Sequence, residues 1–578
     1  MKKHNIARAA VSAGLAIAMT FGGVAPATMA FADTAANSTI TINNVPGNVT
    51  SFKGYEIFKA TVTDNADGTK SVSGIKWANT DVETAVKKVI TANGGTAANT
   101  ATAQDAADWI KDHVTSTTDV SVSNPVAEAI AKAVMDKTAQ ATVTGGTASS
   151  ALDNGYWLFV TDRTTVDPGS SDKAAESYTL PIFAVVGGKT VTVTEKASIP
   201  TVEKKIVSDA DNTEYDAADS HIGQDVRYNL YGTVAQDFAT YDSYSYKFTD
   251  TVSAGLTIDQ SSVKVYMYGS DADAKSDVLH NSTSVTRTDV TDYFTSGVAD
   301  GTDGAHVLTV NVNSKTAPKG LKSITGATKD SVFVVSYTAK INSSAVIGNA
   351  GNPNTVYLEY SNNPNGEGTG RTVDHHVTDF TYGLNLVKVD QGTEKALQGA
   401  VFTIQVTKTD GNADTTSLNK YVKADGTLTA NADEAHLTTD ANGKIDVTGL
   451  DAGTYTVHEV SAPSGYSTVS DFSFTISPTL DQKGQTITKL ESTLNATDST
   501  HVIAGLSDGT AGDNKLTPAA NSGVTDNKIV NITVGDTKSV GLPLTGQAGV
   551  TLTFVAGALV LAFGVSRVVR NRKEQDAE

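Results

Sequence analysis

Apolar residues in this chain recur mostly at every second position, the period of strands that bury one face. Over 199–379 the alternation predicts strands at 227–234, 244–251, 263–268, 306–312, 332–341 and 355–360, with Asn, Gly and Pro clustered between them. Over 380–541 it predicts strands at 384–389, 399–406, 444–447, 453–460, 471–476 and 528–534. The stretch 33–198 opens with strands at 40–42 and 54–58, then changes period. Val82, Ala85, Val86, Val89 and Ile90 share a helical face; Ala106, Ala107, Ile110 and Val114 predict a second helix; Val126, Ile130, Ala133 and Val134 predict a third that starts near Pro125. Strands return at 156–160 and 180–185. The expected fold is mainly β: tandem β-sandwiches, the first with a helical insertion.

Both ends break the pattern. Lys2, Lys3 and Arg8 precede an apolar stretch over 9–24 and the small-x-small run Ala30-Phe31-Ala32, which together predict a secretory signal over 1–32. At the other end an apolar run over 548–565 covers about 27 Å as a helix, enough for a transmembrane helix. Arg567, Arg570, Arg572 and Lys573 follow it and hold the tail on the cytoplasmic side. Leu542-Pro543-Leu544-Thr545-Gly546 stands just before the span. Motif, span and basic tail over 542–578 resemble the LPXTG-type sorting signal read by sortases. The resemblance implies cleavage of the Thr545–Gly546 bond, transfer of Thr545 to an amine, and a secreted protein anchored to peptidoglycan at the cell wall.

Composition narrows the chemistry. A formal net charge of −19 offers no basic patch for nucleic acid. The chain has no Cys, so disulfides cannot staple an exported protein of this length. No phosphate loop, HExxH or nucleophile elbow is present, and neither a cofactor nor a metal site is expected.

The alternation does place charge where apolar side chains belong. Leu384, Leu386 and Lys388 share a face; so do Tyr455, Val457 and Glu459, and Val530, Ile532, Val534 and Asp536. In the second unit Val202, Lys204 and Ile206 share one, as do Tyr244, Tyr246, Phe248 and Asp250, and Val356, Leu358, Tyr360 and Asn362. A buried charge costs several kcal/mol unless it is paired. One resolution is a buried ion-pair cluster. The other is a reaction: burial lowers the lysine pKa and raises that of the carboxyl, and loss of water between Lys388 and Asp536, with Glu459 shuttling protons, leaves an amide.

Glu459-Val-Ser-Ala-Pro-Ser-Gly-Tyr466 resembles the ExxAPxGY signature of Cna B-type domains, which form such intramolecular isopeptide bonds, and the resemblance implies that the tandem sandwiches are immunoglobulin-like. Those domains more often use Asn as acyl partner, so Asn531 is the alternative to Asp536. The second unit resembles the lysine–asparagine domain of backbone pilins, which implies a Lys204–Asn362 bond with Asp250 as shuttle. Lys205 points to the other face. Backbone pilins also carry an acceptor lysine at the end of the N-terminal domain; Thr194-Glu195-Lys196 lies at that place, making Lys196 the expected acceptor with Lys189 and Lys205 as fallbacks. The resemblance implies a major pilin, a non-enzymatic shaft subunit of a covalent cell-surface pilus that supports adhesion. Its partners would be other copies of itself, sortase, peptidoglycan, tip or base pilins and a host receptor. The rival reading is a monomeric wall-anchored adhesin that binds a host glycan or matrix protein through 33–198.

Overall fold

The computed structural model describes residues 19–20, 38–66, 68–114, 120–122, 124–496, 504–506, 522–524 and 529–538. Three units follow one another, each around its own apolar core.

In the first, β1 (Ile40–Asn43), β2 (Ser51–Asp64) and β3 (Lys70–Trp77) precede three helices: α1 (Thr80–Ala92), α2 (Ala103–His113) and α3 (Pro125–Val134). Each helix starts where its first free N–H groups find a side-chain acceptor. Asn79 caps α1; Thr102 and Asp105 form a reciprocal capping box on α2; Asn124 caps α3, with Pro125 in its first turn. β4 (Ala141–Thr144), β5 (Gly155–Thr161), β6 (Ile182–Val186) and β7 (Val191–Thr194) complete the unit. The helices bury Val86, Ile90, Ile110 and Ile130 on one face of the main sheet; β1 and β7 cover the other face over Phe52, Trp157 and Phe159. The predicted helical insertion is therefore present between β3 and β4. Met19–Thr20 lies beside β3 as a two-residue parallel strand; the rest of the expected secretory signal, and the whole of 542–578, lie outside the described residues.

The second unit is a two-sheet sandwich. β8 (Val202–Val207), β9 (Asp225–Thr233), β11 (Leu256–Tyr268) and β13 (Val332–Ile341) build one sheet, in the order β8-β9-β13-β11 with a short strand at each edge. β10 (Tyr246–Val252), β12 (His306–Val312), β14 (Asn352–Ser361) and β15 (His375–Phe380) build the other, in the order β15-β14-β10-β12. Tyr228, Tyr246, Phe248, Phe333, Val335, Val356 and Leu358 interdigitate between them, all buried.

Only Thr381 separates β15 from β16 (Tyr382–Asp390), the first strand of the third unit. There β17 (Val401–Thr409), β19 (Gly453–Ser461), β20 (Phe472–Asp481) and β21 (Thr486–Ala496) form one sheet. β18 (Lys444–Leu450), β16 and β22 (Ile529–Asp536) form the facing one. β16 and β22 run parallel, with Lys388 level with Val534 and Asp390 with Asp536. The first and last strands of this unit are thus neighbours, and tension entering at one and leaving at the other loads them in shear.

The joint between the second and third units is rich in carboxyls. The Ile222 N–H bonds the Gly449 carbonyl at 2.9 Å, and the Gln482 side chain accepts from Asp216 and Ala217 N–H, each at 2.9 Å. Asp219, Asp379 and Asp451 are buried here, and Asp219 and Asp379 each keep an oxygen without a hydrogen-bond partner. Burial, followed by the neighbouring Asp410 and Asp209, pushes the Asp219 carboxyl up to about 7; burial raises Asp379 and Asp451 well above the ordinary range. Such groups hold protons in the fold at pH values where the unfolded chain has lost them. Stability is therefore full below about pH 4 and declines as pH rises toward 7. The unfolding midpoint of residues 33–541 is expected to fall by several degrees between pH 5 and pH 8. Asp379→Asn, which mimics the protonated form, should flatten that slope; calorimetry across the range checks it.

Candidate functional site

Strand alternation sends Lys204 from β8 into the core of the second unit, where its side chain is 0% exposed. Its Nζ donates to both Asp250 carboxylate oxygens, at 2.5 and 2.7 Å, and lies 3.2 Å from the Tyr337 hydroxyl. The ring of Tyr228 sits 5.1 Å from the same nitrogen. Burial pulls the Lys204 ammonium down to about 8 against the opposing pull of Asp250, so free amine is accessible just above neutrality. Tyr337 donates to Asp250 at 2.5 Å, and Asn354 Nδ2 donates to Tyr337 at 2.7 Å. Lysine and tyrosine come from one sheet, aspartate and asparagine from the other.

Asn362, expected to be the acyl partner of Lys204, is not at this centre. It continues the inward face of β14 one residue past the strand's end and lies eight positions beyond Asn354 (362 − 354), about 27 Å along an extended chain. There it serves the contact with the first unit: its Nδ2 donates to the Glu176 carbonyl at 3.0 Å, and its carbonyl accepts from Tyr178 N–H at 3.0 Å. Asn354 is the asparagine that reaches the lysine centre. Its context, Gly351-Asn-Pro-Asn354, reads as a turn in the sequence, although the strand already begins at Asn352. Tyr337 carried no sequence signal, because a tyrosine among Phe333, Val335 and Ala339 is ordinary core.

The third unit brings its expected residues together. Lys388, Glu459 and Asp536 have side chains 0% exposed. Lys388 Nζ donates to Glu459 Oε2 at 3.0 Å and to Asp536 Oδ1, over the face of the Phe402 ring 5.2 Å away. The Val469 N–H also bonds Glu459, at 2.8 Å. Burial raises the Asp536 carboxyl to about 6 in spite of Lys388. Glu459 Oε1 and Asp536 Oδ2 are both buried without a partner, the arrangement expected if one proton serves the two carboxyls. Asn531, the alternative acyl partner, is spent elsewhere: it accepts from Asn385 at 2.9 Å and donates to the Ile529 carbonyl at 3.0 Å, on the opposite face of the sheet. Tyr466 of the signature stretch bonds Asp390 at 2.7 Å and pins the 459–466 segment to β16.

Lys196 lies where the first unit meets the second. Its N–H donates to Thr179 Oγ1 and its carbonyl accepts from Leu180 N–H, both at 2.8 Å. Glu195 beside it is buried and tied to Val45, Asn48 and Thr50. Half-burial lowers the Lys196 ammonium, which favours the free amine an acyl acceptor needs. Of the fallbacks, Lys205 is held by Glu203 and Asp216 at 2.9 and 2.7 Å, whereas Lys189 is exposed. Leu542, Pro543, Leu544, Thr545 and Gly546 lie outside the described residues.

Residues 383–493 match the family model of the SpaA prealbumin-like fold domain. Over 424 residues the chain is 25% identical to the trypsin-resistant surface T6 protein of Streptococcus pyogenes serotype M6, spanning 65% of this chain and 70% of that protein. It is also similar to the solved T6 backbone pilin of the same serotype, at 16% identity and a TM-score of 0.47, over 87% of this chain and 99% of that one. Against the full-length major pilin SpaD of Corynebacterium diphtheriae the identity is 15% and the TM-score 0.42, over 87% and 97% of the two chains. The span matched by the prealbumin-like model takes in Lys388 and Glu459 but ends before Asp536.

Proposed function

We propose that this protein is the structural shaft subunit of a covalently polymerised cell-surface pilus. Its second and third units close internal isopeptide bonds, Lys204–Asn354 with Asp250 and Lys388–Asp536 with Glu459. A sortase joins Thr545 of one copy to Lys196 of the next, and peptidoglycan takes the last copy. The observation that carries the reading is the pair of fully buried lysines, each hydrogen-bonded to a buried carboxyl in its own sandwich. Sequence relationship to the T6 protein and the match to the SpaA prealbumin-like model support the pilus assignment.

The bonds form once per molecule, so the chain is a building element and not a turnover enzyme. Each one shortens the route that tension takes. In the third unit force entering at Tyr382 reaches Lys388, crosses to Asp536 and leaves, bypassing everything between. In the second it crosses from Lys204 to Asn354. A head-to-tail link of this kind does not close on itself and generates a filament.

Incubation of the chain with its sortase is expected to give a ladder of high-mass species on denaturing gels, and Lys196→Ala should reduce it to the monomer. A ladder that survives Lys196→Ala moves the acceptor to another lysine. No ladder with any lysine intact favours the monomeric adhesin.

A further inference from the structure

The Tyr337 hydroxyl lies within hydrogen-bond distance of Lys204, Asp250 and Asn354 alike. A phenol hydroxyl has one proton to give and two lone pairs to offer. Here the proton goes to Asp250 at 2.5 Å, one lone pair takes the Asn354 Nδ2–H at 2.7 Å, and the other faces Lys204 Nζ at 3.2 Å. The amide nitrogen that must depart thus hydrogen-bonds the tyrosine, and the tyrosine hydrogen-bonds the acid.

We infer that Tyr337 is a catalytic residue of the Lys204–Asn354 condensation, relaying a proton from the Asp250 carboxyl to the departing amide nitrogen of Asn354. The inference rests on the crosslinking reading of this centre. Lys204 first passes a proton to Asp250 and becomes a free amine. Its Nζ then attacks Asn354 Cγ; the new C–N bond forms while the carbonyl electron pair moves to Oδ1. Once Asp250 is protonated and Nδ2 has become a tetrahedral amine with a free lone pair, both hydrogen bonds reverse: the Tyr337 hydroxyl turns from Asp250 toward Nδ2, and Asp250 gives its proton to the Tyr337 oxygen as Tyr337 gives its own to Nδ2. The C–Nδ2 bond breaks, ammonia leaves and the carbonyl reforms. Asp250 finally takes the surplus proton from Nζ. The sum is amine plus carboxamide to secondary amide plus ammonia, with aspartic acid and tyrosine regenerated and no oxidant or reductant involved.

Burial holds the Tyr337 hydroxyl well above its ordinary pKa, which keeps it protonated and limits it to passing protons in a single motion. The third unit differs. There Glu459 and Asp536 both bond Lys388 directly, and the aromatic ring over the amine is Phe402, which has no proton to relay.

The test follows bond formation in residues 33–541 after cell-free synthesis, by the 17 Da loss expected for ammonia and by recovery of the linked Lys204–Asn354 peptide. Tyr337→Phe is expected to fold with an unchanged circular dichroism spectrum and to link at least about tenfold more slowly, one positioned proton transfer commonly being worth more than that. The ratio of its rate to the parental rate should rise as pH falls, because solvent must now supply the proton while the Lys204 amine titrates alike in both. Linking at the parental rate with the parental pH profile overturns the relay. Should the phenylalanine variant not fold, Tyr337→His decides: a new dependence of rate on pH between about 5 and 8 supports the relay, and the parental profile overturns it. If the parent chain itself shows neither the mass loss nor the linked peptide, the crosslinking reading falls instead.

Discussion

Lys204→Ala is expected to lower the unfolding midpoint of the second unit by at least 10 °C and to restore the 17 Da lost in the parent. Two effects add. The bond closes a loop of 150 residues (354 − 204), and loop-closure entropy of that length corresponds to about 5 kcal/mol when treated like a disulfide. At roughly 2–4 °C per kcal/mol for a domain of this size, that term alone gives about 10–20 °C. The alanine variant also lacks the Lys204–Asp250 pair that an unlinked chain keeps in place of the bond, which costs a further ~3–5 kcal/mol relative to that unlinked chain unless the Asp250 carboxyl takes up a proton. Asn354→Ala separates the two. It removes the acyl group and the bond but keeps the Lys204–Asp250 pair, so its midpoint should lie between the parent and Lys204→Ala. Scanning calorimetry with intact-mass measurement on each variant reads both quantities. Equal midpoints for the parent and Asn354→Ala, both at unmodified mass, would mean that the centre is an ion pair and nothing more.

The comparison of Asn354 with Asn362 shows how far the sequence was legible. Two-residue alternation picks out the inward face of a strand without structural help, and it placed Lys204, Asp250, Lys388, Glu459 and Asp536 correctly in the two cores. It is silent about height along the strand. Asn352, Asn354 and Asn362 are all buried on one face of β14 or its continuation; which of them lies level with Lys204 depends on how two sheets stack, a long-range quantity. In the third unit the same ambiguity does not arise, because the parallel pairing of β16 with β22 sets Lys388 two residues from the partner of Asp536. The helices of the first unit were legible because their caps are local: Asn79, Thr102 and Asn124 each bond an N–H three residues on. The acidic joint was not, since Asp209, Asp219, Asp379 and Asp451 meet only through folding of two units against each other.

Glu459→Gln is expected to release chain under tension that the parent never releases. Glutamine keeps the shape and still accepts from Val469 N–H, but it cannot carry the proton that Asp536 must have to lose water, so the Lys388–Asp536 bond fails to form. What remains is a buried ion pair, strong against removal of one partner and weak against a sustained pull. β16 and β22 are parallel neighbours loaded at opposite ends, so their hydrogen bonds act together until one peak force and then fail together. In single-molecule pulling through the two ends of residues 33–541, the parent should show no release from between positions 388 and 536. Glu459→Gln should show one new step, because the 148 residues that separate the two positions span roughly 500 Å when extended. Intact mass should rise by about 17 Da over the parent in the same sample, the ~18 Da of water no longer lost less the ~1 Da by which glutamine is lighter than glutamate. A parent that already gives the 500 Å step has no covalent bridge in this unit, and the proposed shaft would then rest on the second unit alone.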